Sequence, residues 1–234
     1  MPNAIPARQP MERYSPLFVA VSAVFVTCLI TANVIAVKLI DVFGFTMPAG
    51  TVIFPISYIF GDILTEVYGY RQARRVIWLG FLCNAIFVGA VWIAQVLPGA
   101  SFWDAQSAYE RILGFTPRLL AASFAAYLVG EFANSYVLAR LKILTRGRFL
   151  WSRTISSTLV GEGLDSLVFI TFIFFGTMPG EILLATIATQ WIAKSLYEVI
   201  ATPITYLIVN YLKRKEQLDT FDYHTDFNPL QITD

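Results

Sequence analysis

Six apolar runs, each about as long as a lipid bilayer is thick, constrain this chain more than any other feature. A spanning helix needs roughly 20 mainly apolar residues at a rise of about 1.5 Å each. Residues 17–40, 50–69, 76–97, 118–141, 154–176 and 182–212 each supply such a run. Of the 234 residues 56% are hydrophobic and only 14% are charged, with a mean hydropathy of +0.62. Soluble domains carry roughly 25% charged residues, so this chain is built for lipid. The expected fold is an all-α membrane protein with six transmembrane helices in one bundle.

The polar segments fall between and around these runs. Residues 1–16 form a Pro-rich arm, too polar, and followed by too long an apolar run, for a cleaved signal peptide. Residues 17–212 form the membrane domain, and 213–234 a polar tail. The second run carries Pro55, Gly61 and Gly69, and reads equally as a complete helix or as a broken, partly re-entrant one. The stretch 101–113 interleaves Phe102, Trp103, Tyr109, Ile112 and Leu113 with Asp104, Glu110 and Arg111, which suits a helix lying in the interface. Residues 216–234 are acidic and without periodicity, a soluble tail open to disorder.

Lys and Arg set the orientation. Arg8, Arg13, the Arg71–Arg75 group, the Arg140–Arg153 loop and Lys213–Lys215 all fall on one side. Only Lys38, Arg111, Arg118 and Lys194 lie within spans or on the other face. The positive-inside rule then puts both termini in the cytoplasm, which requires an even number of spans.

Several function classes fall away. A net charge of +1 offers no bulk field for nucleic acid. Cys28 and Cys83 sit in apolar runs without metal-site or redox spacing, and read as small hydrophobes. The single histidine, His224, lies in the tail, which excludes paired-His haem ligation and H-E-x-x-H zinc chemistry in the membrane. No metal, cofactor or catalytic residue is expected. Asp165 stands one residue late for the G-x-G-D of intramembrane aspartyl proteases, and serine types lack a membrane histidine.

The polar residues inside the runs carry the functional signal, because each ionisable group at membrane depth costs roughly 2.5–3.5 kcal/mol. Three runs share the pattern G-[DE]-x-x-[TND]-[ES]: Gly61-Asp62 to Thr65-Glu66, Gly130-Glu131 to Asn134-Ser135, and Gly161-Glu162 to Asp165-Ser166. Spacings of i, i+3 and i+4 put these polar groups on one face of each helix. The last run adds Gln190, Lys194 and Glu198, flanked by Trp191 and Tyr197, and the first contributes Asn33. Lipid cannot solvate such faces, so they turn toward one another or toward a wet cavity. Asn84 and Gln95 on the third run are well enough explained as interhelical glue. Six acids against the one deep Lys194 are not, and they require protons or a cationic or donor-rich ligand. Carboxylates and amide oxygens favour a ligand rich in N–H donors. Trp191, Tyr58, Tyr127 and Tyr197 offer faces for a flat ring, although ordinary packing or an interface belt explains each one singly.

The run from Asn33 to Lys38, the block from Phe54-Pro55 through Gly61-Asp62 and Thr65-Glu66 to Gly69, Gly161 to Ser166, and Trp191 to Glu198 together resemble the queuosine precursor transporter family, also known as the vitamin uptake transporter family. The resemblance covers residues 17–212 and leaves the tail outside. It implies import of 7-cyano-7-deazaguanine, 7-aminomethyl-7-deazaguanine or queuine across a bacterial inner membrane. It also implies a bundle similar to the substrate-binding components of energy-coupling-factor transporters, acting without a dedicated ATPase. The residues expected to bind substrate are Asn33, Asp62, Glu66, Glu131, Asn134, Glu162, Asp165, Gln190, Trp191, Lys194 and Glu198. Two other readings stay open: a binding subunit that needs an ATP-driven partner, and a carrier of another small vitamin-like compound. No Walker A motif occurs, so this chain would not hydrolyse ATP by that route. Membrane lipid surrounds the bundle in every reading, and a homodimer is left open. The expected mechanism is alternating access, with helices 1–3 rocking against helices 4–6.

Overall fold

The structure, a computed structural model, describes residues 14–42, 45–114, 117–177 and 179–231. The arm expected over 1–16, with Arg8 and Arg13, lies almost wholly outside them. Helix α1 (Pro16–Ile35) begins with Pro at its first turn, and the Ser15 hydroxyl accepts the Phe18 amide at 3.0 Å. It stops five residues earlier than hydropathy alone suggests. A short antiparallel hairpin follows, β1 (Leu39–Val42) and β2 (Phe45–Pro48), with Leu39 opposite Pro48. The second apolar run is broken. A 3₁₀ turn (Ala49–Val52) leads into α2 (Phe54–Ile63), which unwinds into a π turn (Leu64–Tyr68). The long helices α3 (Tyr70–Val96), α5 (Pro117–Leu144), α6 (Leu150–Phe174) and α7 (Gly180–Glu216) complete the bundle. Helix α4 (Gln106–Leu113) buries none of its residues, in keeping with the interfacial expectation. Among the described residues six segments are long and apolar enough to cross a membrane.

Small residues let the helices close on one another. Helices α5 and α6 form the most extensive pair. Where they cross, a methyl group on Gly161 would stand 2.7 Å from the Asn134 Cβ and 2.9 Å from the Gly130 carbonyl. Two of the three repeated motifs therefore meet through their glycines, backbone to backbone. Helix α7 is 37 residues long and contains Pro203, which removes one hydrogen bond of the helix ladder just beyond Glu198.

One end of the bundle is locked by charge. The Glu66 carboxylate, fully buried, takes Arg153 Nη2 at 2.7 Å and Lys213 Nζ at 2.6 Å, with Lys142 Nζ at 3.7 Å. Lys142 also donates to the Glu66 carbonyl at 2.5 Å and to Asp219 at 2.6 Å. The π turn, the end of α5, the start of α6 and the end of α7 are thus drawn to one point. The Lys- and Arg-rich loops all lie at this basic end.

The segment after α7, unpatterned in sequence, is laid across the same end as a strap. The Tyr70 amide, at the uncapped start of α3, donates to both oxygens of Asp222 at 3.1 and 3.0 Å. Asp222 thereby caps a helix 152 residues away in sequence. Buried Arg74 holds the carbonyls of Asp226 and Asn228 at 2.9 and 2.8 Å, and Trp78 holds that of Pro229 at 2.8 Å. The strap crosses α3 at Gly69, whose φ of +85° and 2.7 Å clearance to Thr220 leave no room for a side chain. Backbone carbonyls supply most of these bonds, so no sequence period announces them.

Burial alone would raise the pKa of Asp219, but hydrogen bonds from Lys142 and Lys213 outweigh it and hold the carboxyl below its ordinary range. A depressed acid stabilises above its unfolded pKa, and that contribution is lost as pH falls through the folded one. Strap attachment should therefore be complete at neutral pH and weaken only in strong acid, as hydrogen exchange over 219–231 would report. Asp222→Ala should cost about 1 kcal/mol, as loss of a helix cap does, and should speed exchange in the strap and in the first turn of α3. Glu66→Gln removes the carboxylate partner of buried Arg153 and leaves Lys142 and Lys213 to Asp219 alone, and should cost roughly 3–5 kcal/mol, read as a lowered thermal midpoint in detergent.

Candidate functional site

At the other end of the bundle the helices splay around a cavity of about 230 Å³. Drug-sized pockets run to roughly 300–1,000 Å³, so its occupant is small. The walls come from the far half of α1, the 3₁₀ turn and start of α2, the far half of α3, the first turns of α5, and the middles of α6 and α7. Its rim carries the exposed residues Val37 and Pro48. All of these positions lie away from the basic end.

Thr51 of the 3₁₀ turn gives the wall a hydroxyl, and its other non-aromatic polar groups are Asn33, Asn84, Ser123, Asp165, Gln190 and Lys194. Five different helices supply them, so the constellation exists only when the bundle is assembled. Lys194 is the hub. Its ammonium lies 2.5 Å from Asp165 Oδ2 and 3.0 Å from Glu162 Oε2, and 4.2 Å from the centre of the Phe54 ring. Phe54, Phe124, Tyr127 and Phe169 form the aromatic part of the wall. The Tyr127 hydroxyl donates to the Ile77 carbonyl at 2.9 Å, so that ring serves as a fixed face.

Behind the cavity lies a second, dry layer. Asn134 Nδ2 donates to Asp62 Oδ1 at 2.7 Å, joining α5 to α2. Glu131 and Glu198 are buried there with no hydrogen-bond partner for either carboxyl oxygen, and the Tyr58 hydroxyl and Asp62 Oδ2 are likewise unpaired. Among the described residues no group of acids, cysteines or histidines is arranged to hold a metal ion.

The residues singled out by sequence thus separate into three places. Asn33, Asp165, Gln190 and Lys194 line the cavity, and Glu162 reaches it through Lys194. Asp62, Glu131, Asn134 and Glu198 form the dry layer behind. Glu66 and Trp191 stand apart. Glu66 belongs to the charge lock at the basic end. Trp191 packs on Gly163, and its indole donates to the Leu159 carbonyl at 2.9 Å, stitching α7 to α6. Neither lines the cavity. Tyr58, read as a stacking face, is buried in the dry layer. Asn84 and Phe54 were not among the expected site residues. Asn84 looks like glue in a one-dimensional reading, and Phe54 like any apolar residue before a proline.

The sequence pattern of the vitamin uptake transporter family matches residues 48–208. A protein of Bacillus subtilis named "Probable queuosine precursor transporter" is 29% identical over 178 residues, covering 76% of this chain and 78% of its own. The Escherichia coli protein named "Queuosine precursor transporter" is 28% identical over 191 residues, covering 80% and 79%. A Haemophilus influenzae protein, also named "Probable queuosine precursor transporter", is 28% identical over 146 residues, covering 62% of this chain and 60% of its own. No solved structure matches. With the match extending from the 3₁₀ turn before α2 nearly to the end of α7, the chain belongs to the vitamin uptake transporter family.

Proposed function

We propose that this multi-pass protein of the bacterial inner membrane imports queuosine precursors of the 7-deazaguanine type by alternating access. The observation that carries the reading is the cavity itself, a small aromatic-walled pocket in which a carboxylate, an ammonium and amide side chains converge at membrane depth. The names of the relatives supply the substrate class. A guanine-like edge presents a ring N–H and an exocyclic amino group beside a carbonyl oxygen. Asp165 accepts from the N–H groups, Lys194 donates to the carbonyl, and Asn33, Asn84 and Gln190 read the remaining edge. Phe54 and Tyr127 offer faces to the flat ring. Glu162 is a positioning residue, holding Lys194 beside Asp165.

Orientation follows from the basic end. With the Lys- and Arg-rich loops and both termini in the cytoplasm, the cavity faces outward, and the charge lock and strap close the inner side. Inward opening would then require Glu66, Lys142, Arg153 and Lys213 to part. The arrangement of six spans around one outward cavity is what we set beside the substrate-binding components of energy-coupling-factor transporters.

Purified protein in liposomes should bind and take up 7-cyano- or 7-aminomethyl-7-deazaguanine. Asp165→Asn should weaken binding about 10- to 100-fold, the worth of a charged hydrogen bond at roughly 1.5–3 kcal/mol. Trp191→Phe should leave affinity unchanged. Equal affinity in Asp165→Asn and the parent would sink the site, and binding without uptake would mark a need for an energising partner.

A further inference from the structure

The dry layer contains a group that substrate binding does not use. Glu131 lies in the middle of α5 with its side chain wholly buried and neither carboxyl oxygen hydrogen-bonded. Its Oε2 rests against Gly61, where a methyl group would approach to 2.9 Å, so the glycine of the α2 motif makes room for this carboxyl. The groups that face it are known from each side. Helix α2 presents Asp62, α6 presents Glu162 and Asp165, and α7 presents Glu198. Tyr58 of α2 reaches the neighbouring Gly130, and α1 adds only the Phe25 ring near Gly61. Tyr127, one turn back on α5, and Cys83 of α3 complete the titratable groups on that side.

Every group in that set is an acid, a phenol, a thiol or a hydrocarbon. The one ammonium nearby, Lys194, is engaged with Asp165 and Glu162. An ionised carboxylate stripped of water and without donor or cation is among the most expensive things a protein can bury. Five carboxyl groups (Asp62, Glu131, Glu162, Asp165 and Glu198) share that single cation. The layer is electrically tolerable when protons occupy the groups Lys194 does not reach. Access to Glu131 from the cavity is short, because Asp165 lines the cavity and its Cβ abuts the Gly130 backbone, where a methyl group would approach to 2.9 Å.

We propose that Glu131, in the buried layer it shares with Glu198, is a proton-carrying site that couples substrate entry to proton entry. The proposal rests on the transporter reading above. In the outward state a proton from the external side occupies Glu131. When the bundle opens inward, water reaches the layer, the carboxylate becomes solvated and the proton leaves to the interior. Asp165 and Lys194 hold the substrate; Glu131 holds the proton that travels with it.

The test separates exchange from accumulation in proteoliposomes that hold only this protein, with 7-cyano-7-deazaguanine as the probe. Counterflow, in which internal unlabelled compound exchanges with external label, needs no gradient and reports the carrier alone. The parent protein should show counterflow, should accumulate label several-fold above equilibrium when the outside is made acid, and should acidify a pH dye in the lumen when substrate is added. Glu131→Gln should keep counterflow and lose gradient-driven accumulation. If this variant does not fold, the parent still tests the proposal, because substrate addition without lumenal acidification would overturn it. Accumulation that ignores the pH gradient, that follows a sodium gradient instead, or that survives in a folded Glu131→Gln would overturn the coupling site and leave the carrier standing. Absence of counterflow in the parent would overturn the transport of this compound, and the coupling site with it.

Discussion

The carboxylate of Glu66 is the point on which the architecture turns. It comes from a π turn, the least regular piece of backbone in the bundle, and it gathers cations from α5, α6 and α7. In lipid the hydrophobic effect does not press helices together, so packing and interhelical polar bonds must do so. A buried acid that engages three helices at once fixes their relative depth as well as their contact. Remove it and Arg153 loses its carboxylate, while Asp219 alone is left to hold Lys142 and Lys213 together. The opposite half has no such lock, and there the helices diverge enough to leave a cavity.

The division of charge follows from this arrangement. Cations cluster at one end, where they neutralise Glu66 and Asp219. The remaining acids lie deeper, with Lys194 alone among them. A protein that wanted only cohesion would pair every buried acid, as the basic end does. Leaving Glu131 and Glu198 without partners produces an interior whose charge depends on what enters it. Pro203 lies one helical turn beyond Glu198, so the helix that carries this acid and Lys194 is also the one with a break in its hydrogen-bond ladder.

The six spans and their polar faces were legible in the sequence because they depend on local rules, apolar length and helical period. The repeated glycine-acid motif correctly marked the interior faces of α2, α5 and α6. Depth was not legible. Asp62 and Glu66 are four residues apart and share a face on paper, yet one joins the dry layer and the other the charge lock, since the helix between them unwinds into a π turn. Trp191 and Lys194 are also near neighbours on one helix, and only the lysine points inward. The strap was invisible for a different reason. Its bonds run from its own carbonyls to Arg74, Tyr70 and Trp78, and a carbonyl is the same whatever residue carries it. The hairpin strands Leu39–Val42 and Phe45–Pro48 fall almost wholly between the first two apolar runs, where the sequence shows no period to announce them.

The strap also imposes an order on the making of the molecule. Residues 219–231 follow the sixth span, so they leave the ribosome only after every transmembrane helix has been made. The first turn of α3, synthesised about 150 residues earlier, waits through that interval for the acid that caps it. Arg74 waits likewise, with no strap carbonyl to meet. Until translation passes Asp222, the basic half of the bundle is without its cover. Closing that end therefore comes only after the sixth span has been made, and a chain cut short after α7 would carry all six spans in an unfinished barrier.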